Sequence, residues 1–184
     1  MTKARVVLLA ILTMSMIGCS VLSAHAQASS VSEYRVKAAF VYNFAKFVDW
    51  PAVAFANNQA PLILCIVGTD PFGTVLEVFK DKTIQHRKFV VQHKSQGEAL
   101  NDCRIIFISA SERHSLGRLL EPLQDNLILT VSDVDGFLEV GGMINLITVA
   151  NKIRFEVNLD AVRRAGLTIS ARLLKLATTV KGMP

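Results

Sequence analysis

The sequence predicts an α/β fold: a mainly parallel sheet with helices on both faces, followed by a C-terminal antiparallel hairpin and helix. Short, wholly apolar runs, typical of strands buried on both faces, alternate with helical segments up to about residue 132. Two strand-like runs then follow with only two residues between them, the spacing of an antiparallel hairpin. A basic amphipathic segment completes the chain.

Residues 1–26 have the features of a cleavable export signal. Lys3 and Arg5 form a short basic region, residues 6–17 are almost wholly apolar, and Ala24-His25-Ala26 has the small-x-small pattern that signal peptidases cleave. The apolar run is too short to remain as a membrane-spanning anchor. We therefore expect residues 27–184 to fold as a single domain outside the cytoplasm.

Lipid attachment at Cys19 is an alternative to this cleavage. Bulky Ile17 lies two residues before Cys19, where lipid-modifying enzymes usually require a small residue, so we favour the freely diffusing form. The export signal contains two of the 20 basic residues and none of the 15 acidic ones, so the mature chain has 18 basic residues and a formal net charge of +3. This weak charge, without a dense basic run, argues against nucleic-acid binding.

The first predicted helix follows Ser30, which has capping-box spacing to Glu33. Trp50-Pro51 ends it, because the residue before proline is disfavoured in a helix. Its apolar residues recur at helical intervals at Val36, Phe40, Phe44 and Phe47.

Four strands alternate with three helices in the next part of the chain, and this order predicts parallel strands. Asp70 is the expected N-cap of the first of these helices, which runs through Lys80. The predicted strands are Leu62–Val67, Lys88–Gln92, Arg104–Ser109 and Asn126–Ser132. The other two helices are Ser95–Asn101 and Ser111–Leu120.

The C-terminal part changes character. Gly141–Val149 and Lys152–Asn158 are predicted to form a hairpin through Ala150-Asn151. Leu159–Val180 follows as the basic amphipathic segment, with Arg163 and Arg164 on its polar face.

Cys65 and Cys103 are the two cysteines that remain once the export signal is removed. In an oxidising compartment such a pair favours a disulfide, with two buried free thiols as the alternative. Two cysteines alone cannot make a structural zinc site, and His86, His93 and His114 have no partner at metal-ligand spacing. We therefore expect no metal site.

Catalytic motifs are missing from the sequence. It contains no G-x-S-x-G, no H-E-x-x-H, no P-loop and no G-x-G-x-x-G. We therefore expect no enzymatic activity and no cofactor.

A ligand crevice is one hypothesis for the polar residues that follow the predicted strands. In open α/β sheets, ligands bind outside the carboxyl ends of the strands. The alternative is that these side chains only cap the helices that follow. The candidate crevice residues are Thr69, Asp70, Ser109, Ser111, Ser132 and Asp133.

Several long motifs closely resemble the YfiR-like family. The run VKAAFVYNFAKFVDWP at residues 36–51 resembles the family's opening helix. Further C-terminal motifs are GGMIN at 141–145, IRFEVNLDA at 153–161 and RAGLTIS at 164–170. The resemblance covers essentially the whole mature chain.

The resemblance implies a periplasmic repressor of an inner-membrane diguanylate cyclase. Such proteins bind the cyclase's periplasmic sensor region, and a peptidoglycan-associated outer-membrane lipoprotein relieves the repression by capturing them. The resemblance also implies a homodimer. Cys65 and Cys103 match the family's disulfide in the strand region, whereas the second disulfide of some relatives has no cysteines here.

A repressor of this kind needs surface and no catalytic group. Tyr42, Phe47 and Trp50 exceed what one helical stripe buries, and Arg163 and Arg164 could face an acidic partner. The alternative places these aromatics in the core and the charges on a solvated face. A one-lobed periplasmic module that binds a small ligand is the competing functional hypothesis.

Overall fold

The computed structural model describes residues 32–95 and 97–182. The predicted export signal, Cys19 and the capping residue Ser30 lie outside these ranges. The strands are β1 (Val48–Asp49), β2 (Leu62–Val67), β3 (Thr83–Ile84), β4 (Arg87–Lys94), β5 (Ile105–Ile108), β6 (Leu129–Ser132), β7 (Ile144–Val149), β8 (Lys152–Asn158), β9 (Thr168–Ile169) and β10 (Thr179–Lys181). The helices are α1 (32–47), α2 (Leu116–Leu120), α3 (Leu159–Arg164) and α4 (Ala171–Leu174).

Eight strands form one sheet in the order β10-β8-β7-β6-β5-β2-β4-β3. The pairs from β4 through β2, β5 and β6 to β7 are parallel, whereas β7 and β8 form an antiparallel hairpin. Ala150 and Asn151 connect the hairpin with φ values of 47° and 60°, the left-handed conformation that a two-residue hairpin turn requires. The α/β class and the C-terminal hairpin are confirmed.

Both faces of the central strands are buried. Leu64 and Ile66 on β2 pack with α1, while Cys65 and Val67 point to the opposite face and pack with α2. This alternation follows from the two-residue period of a strand. The predicted placement of helices on both faces is therefore confirmed.

Two of the predicted helices are absent in the expected form. The segment expected to run from Asp70 to Lys80 contains only a 3₁₀ helix, Gly73–Phe79, preceded by Phe72 instead of an Asp70 cap. The segment Ser95–Asn101 has turns and no helix in its described residues. Gly73 and Gly97 adopt φ values of 52° and 86°, outside the right-handed helical region.

The C-terminal segment Leu159–Val180 contains two short helices and two short strands. Gly166, with φ of 69°, follows α3 in the left-handed conformation typical of a helix end. The chain then forms β9, which pairs with β1, then α4, and finally β10 at the edge of the sheet. The predicted helix after the hairpin is therefore present as α3, and the amphipathic segment that contains it also forms β9, α4 and β10.

The predicted disulfide is present. Cys65 and Cys103 are joined with Cα atoms 5.8 Å apart, and both side chains are fully buried. Cys65 lies within β2 and Cys103 lies just before β5, so the bond ties two neighbouring strands on the face that α2 covers.

Removal of this disulfide is expected to lower the free energy of unfolding by about 4 kcal/mol, because it frees a loop that closes over 38 residues. The variant is the double substitution Cys65→Ala with Cys103→Ala, which leaves no buried free thiol. Urea unfolding with and without reductant measures the change. Reductant should destabilise the native protein and leave the double variant unaffected; equal stability of the two proteins under oxidising conditions would contradict the prediction.

Candidate functional site

The carboxyl ends of β2, β5 and β6 bring the predicted crevice residues to one edge of the sheet. Ser111 Oγ accepts a hydrogen bond from the Thr69 backbone N–H at 2.9 Å and lies 3.4 Å from Ser109 Oγ. Ser109 Oγ in turn accepts from the Ser111 N–H and caps the 3₁₀ helix Ala110–Ser115. These hydroxyl groups therefore link the ends of β2 and β5, and the capping interpretation holds for Ser109.

Asp70 caps a turn and contacts the neighbouring strand. Its Oδ1 accepts a hydrogen bond from the Phe72 N–H at 2.8 Å, and its Oδ2 lies 3.0 Å from His93 Nε2 on β4. A cleft of about 350 Å³ opens beside this pair. It is lined by Gly68, Thr69, His93, Lys94, Ser95 and Glu112.

The end of β6 is buried beneath the first helix. Ser132 is fully buried, and its hydroxyl donates to the Ile108 carbonyl at 2.7 Å. Asp133 Oδ2 accepts hydrogen bonds from Lys37 Nζ at 2.6 Å and from the Tyr34 hydroxyl at 2.8 Å. The side chains of Lys37 and Asp133 are only 6% and 4% exposed, so this is an ion pair within the protein interior.

The Lys37–Asp133 ion pair is part of a larger cluster that includes Glu33 and Tyr34. Lys37 Nζ also lies 2.6 Å from Glu33 and stacks over the Tyr34 ring. Burial and then the hydrogen bond to Asp133 raise the pKa of Tyr34 above its ordinary value. Asp133 Oδ1 is buried without a hydrogen-bond partner among the described residues. The ion pair therefore fixes the N-terminal half of α1 over the strand ends.

The apolar pattern of α1 did not identify Lys37, Tyr34 and Glu33. It correctly places Phe44 in the core with Phe40 and Phe47 packed against it, but it also includes the exposed Val36 and passes over the buried Lys37. Val36 is 44% exposed, and Phe40 and Phe47 are half-buried. The buried stripe is Lys37, Ala38, Val41, Phe44, Ala45 and Val48. Lys37 stands in this stripe at helical spacing to Val41, and a lysine in such a position is the signal that could have identified a buried partner.

The predicted partner surface is only partly available. Trp50 is 8% exposed and lies in the core, so it offers almost no area to a partner. Tyr42 is half-buried, with its ring stacked 4.3 Å from that of Phe79. Arg163 and Arg164 are exposed, and Arg163 Nη1 donates to the Gly182 carbonyl at 3.0 Å. The arginines therefore remain candidates, whereas Trp50 is corrected to a core residue.

Within residues 32–95 and 97–182, no group of three or more His, Cys, Asp or Glu side chains could hold a metal ion. In the same part of the chain, no helix has the length and apolar character needed to cross a membrane.

A comparison with protein families finds one match that spans most of the chain. The model of the family described as YfiR/HmsC-like aligns with residues 34–178. The aligned region starts at Tyr34 in the buried cluster and includes both disulfide cysteines and all of the candidate crevice residues.

Substitution of Lys37 by methionine is expected to destabilise the protein by about 3–5 kcal/mol, because it leaves the Asp133 carboxylate buried without a counterion. Lys46→Met is the matched control, since Lys46 is an exposed lysine of the same helix. Chemical unfolding of both variants gives the comparison. Adding Asp133→Leu to Lys37→Met should recover part of the loss; similar stabilities of the two lysine variants would refute a buried ion pair.

The raised pKa of Tyr34 predicts a dependence of stability on alkaline pH. A tyrosine whose pKa is higher in the folded than in the unfolded protein contributes stability at pH values below the ordinary tyrosine pKa of about 10. This contribution is lost progressively as the pH rises beyond that value. Ultraviolet absorbance of tyrosinate during titration reports the ionisation of the two tyrosines of the chain. Tyr34→Phe should abolish a late-titrating component; an unchanged late component in that variant would exclude Tyr34 as its source.

Proposed function

We propose that this chain, which belongs to the YfiR/HmsC-like family, is a periplasmic regulator that controls a diguanylate cyclase through protein contact. The observation that carries the proposal is the family match over residues 34–178, because this family is associated with periplasmic regulation of diguanylate cyclases. The family is regulatory and not catalytic, in keeping with strand-end polar groups that are bonded to one another.

The proposed mechanism is repression by differential affinity. The protein binds the periplasmic sensor region of the inner-membrane cyclase more tightly in the inactive state than in the active state, and so shifts the cyclase towards inactivity. Capture by a peptidoglycan-associated outer-membrane lipoprotein relieves the repression by lowering the free concentration of the repressor. A homodimer is the proposed form of the repressor.

The proposed location is the periplasm, with the export signal cleaved after Ala26. The buried Cys65–Cys103 disulfide supports an oxidising compartment, because such bonds are rare in the reducing cytosol. A protein that must reach partners in two different membranes is better served by free diffusion than by a lipid at Cys19.

A basic surface near the C-terminus is the proposed contact for the cyclase. Arg163 and Arg164 on α3 are exposed together with Arg172 and Lys175 around α4. Leu176, the residue after Lys175, is 65% exposed. Such a combination of cations and an apolar side chain suits an acidic partner surface that contains an apolar contact.

A one-lobed module that binds a small ligand is the second candidate. The cleft of about 350 Å³ beside Asp70 and His93 is the observation that favours it. The contrary observation is that five of the six predicted crevice residues already make side-chain hydrogen bonds within the chain, whereas Thr69 contributes only its backbone N–H. The regulator is therefore the better-supported function.

Deletion of the gene in its native bacterium is expected to raise cellular cyclic-di-GMP and biofilm formation without any added ligand. Expression of the native protein should restore both, whereas the double variant Arg163→Glu with Arg164→Glu should not. The matched control is Arg113→Glu, which changes the charge of an exposed arginine on the 3₁₀ helix Ala110–Ser115. Cyclic-di-GMP is quantified by mass spectrometry of cell extracts.

Two outcomes would count against parts of this proposal. Unchanged cyclic-di-GMP after deletion would contradict the regulatory function itself. Full repression by the double arginine variant would retain the function and exclude the C-terminal surface as its contact.

A further inference from the structure

The outer edge of β4 is covered by another strand only at its start. β3 pairs with β4 at Thr83–Lys88 and Ile84–Arg87, and the Phe89 N–H donates to the Lys82 carbonyl at 2.9 Å. On its other side β4 pairs with β2 along its length from Phe89 to Lys94. The second half of β4 is therefore an edge of the sheet.

The free backbone groups on this edge follow from the geometry of a strand. The N–H and C=O groups of alternate residues point to the same side, so Val91 and His93 face outward as Phe89 does. Within the described part of the chain, the outward N–H groups of Val91 and His93 have no backbone partner. They form a template to which a further strand can add.

A groove runs beside these groups. It has a volume of about 310 Å³ and lies between β4 and the 3₁₀ helix Gly73–Phe79. Leu76, Phe89, Val90 and Val91 supply its apolar lining. Phe89 and Leu76 are buried in the core, while the two valines are half-buried. The groove can thus accept an apolar side chain from a strand that pairs with β4.

The charge around the edge selects the kind of strand. Residues 80–94 contain five lysine or arginine residues and a single acidic residue, Asp81. Asp81 Oδ1 lies 3.1 Å from Lys88 Nζ, and Asp70 Oδ2 lies 3.0 Å from His93 Nε2. Glu77 and Glu98 lie 3.9 Å from Lys80 and Lys94, so the five lysine and arginine residues exceed these four carboxylates by one. An acidic segment complements this edge.

A second copy of this chain does not complement the edge in the register that pairs Val91 with Val91. Antiparallel pairing of two β4 edges centred on Val91 would place Lys88 of one copy opposite Lys94 of the other, and like charges in that position are unfavourable.

We propose that the outer edge of β4 binds an extended, acidic segment of a partner protein, which joins the sheet as an additional strand. Backbone hydrogen bonds from Val91 and His93 supply the pairing, the groove beside Leu76 takes an apolar side chain, and the surrounding cations select acidic residues. This inference rests on the proposed regulation by protein contact. It names a contact at the opposite edge of the sheet from β10 and the C-terminal basic surface.

The test measures binding of two synthetic peptides to the purified mature protein. One peptide alternates valine with glutamate, and the other alternates valine with lysine. The acidic peptide is expected to bind at least about tenfold more tightly. It should also protect the Val91 and His93 amides of the native protein from hydrogen exchange, a measurement that needs no variant.

Val91→Pro and Val91→Thr form a matched pair of variants. Proline removes the outward backbone N–H, and sheets tolerate proline at such an edge position. Threonine keeps the backbone N–H and has a side chain of similar shape. The proline variant should bind the acidic peptide about tenfold more weakly, and the threonine variant should stay within about twofold of the native protein. Lys88→Glu should weaken binding of the acidic peptide and strengthen binding of the lysine peptide.

Each contrary result overturns the proposal in a defined way. Equal binding of both peptides, or no binding and no amide protection, would mean that the lysines only protect the edge against aggregation. Self-association that Val91→Pro abolishes would make a second copy the occupant. Because the deletion experiment on cyclic-di-GMP involves neither peptide, failure here would leave the proposed regulatory function standing.

Discussion

The burial of the central strands on both faces is the constraint from which the rest of the architecture follows. β2 and β5 carry apolar side chains in both directions, so each face of the sheet must be covered. α1 covers one face through its buried stripe from Ala38 to Ala45, and α2 covers the other around the disulfide. Because parallel sheets are generally buried on both faces, the second face also needs a cover. The short helix α2, packed around the disulfide, provides it.

α1, which covers the first face, is held to the sheet by an ion pair as well as by apolar packing. α1 packs against the sheet through apolar residues along most of its length, but its N-terminal half reaches the strand ends through the Lys37–Asp133 ion pair. Apolar packing is non-directional, whereas a buried ion pair is unfavourable unless its geometry is satisfied. The pair therefore specifies the position of α1 over β6 more than it adds to stability. The same contact covers the carboxyl end of β6, at the edge of the sheet where α/β proteins commonly bind ligands.

Local signals made β2 and the hairpin predictable. The run Leu62–Val67 is apolar throughout, and Ala150-Asn151 is a two-residue connection between two strand patterns. The disulfide was predictable from the compartment and the cysteine count. The division of the C-terminal segment was not, because it depends on Gly166 and on β1, a pairing partner more than a hundred residues earlier. Lys37 was missed for a similar reason, since Asp133 is 96 residues away and no local pattern joins them.

The arrangement of the two sheet edges supports a protein that acts by contact. One edge ends in β10 beside the exposed arginines of α3, and the other presents the outward amides of β4 among lysines. The strand ends between these edges, where an enzyme or receptor of this fold would hold its ligand, are largely occupied by internal hydrogen bonds. This distribution of hydrogen bonds favours recognition at the two edges of the sheet over ligand binding at the strand ends between them.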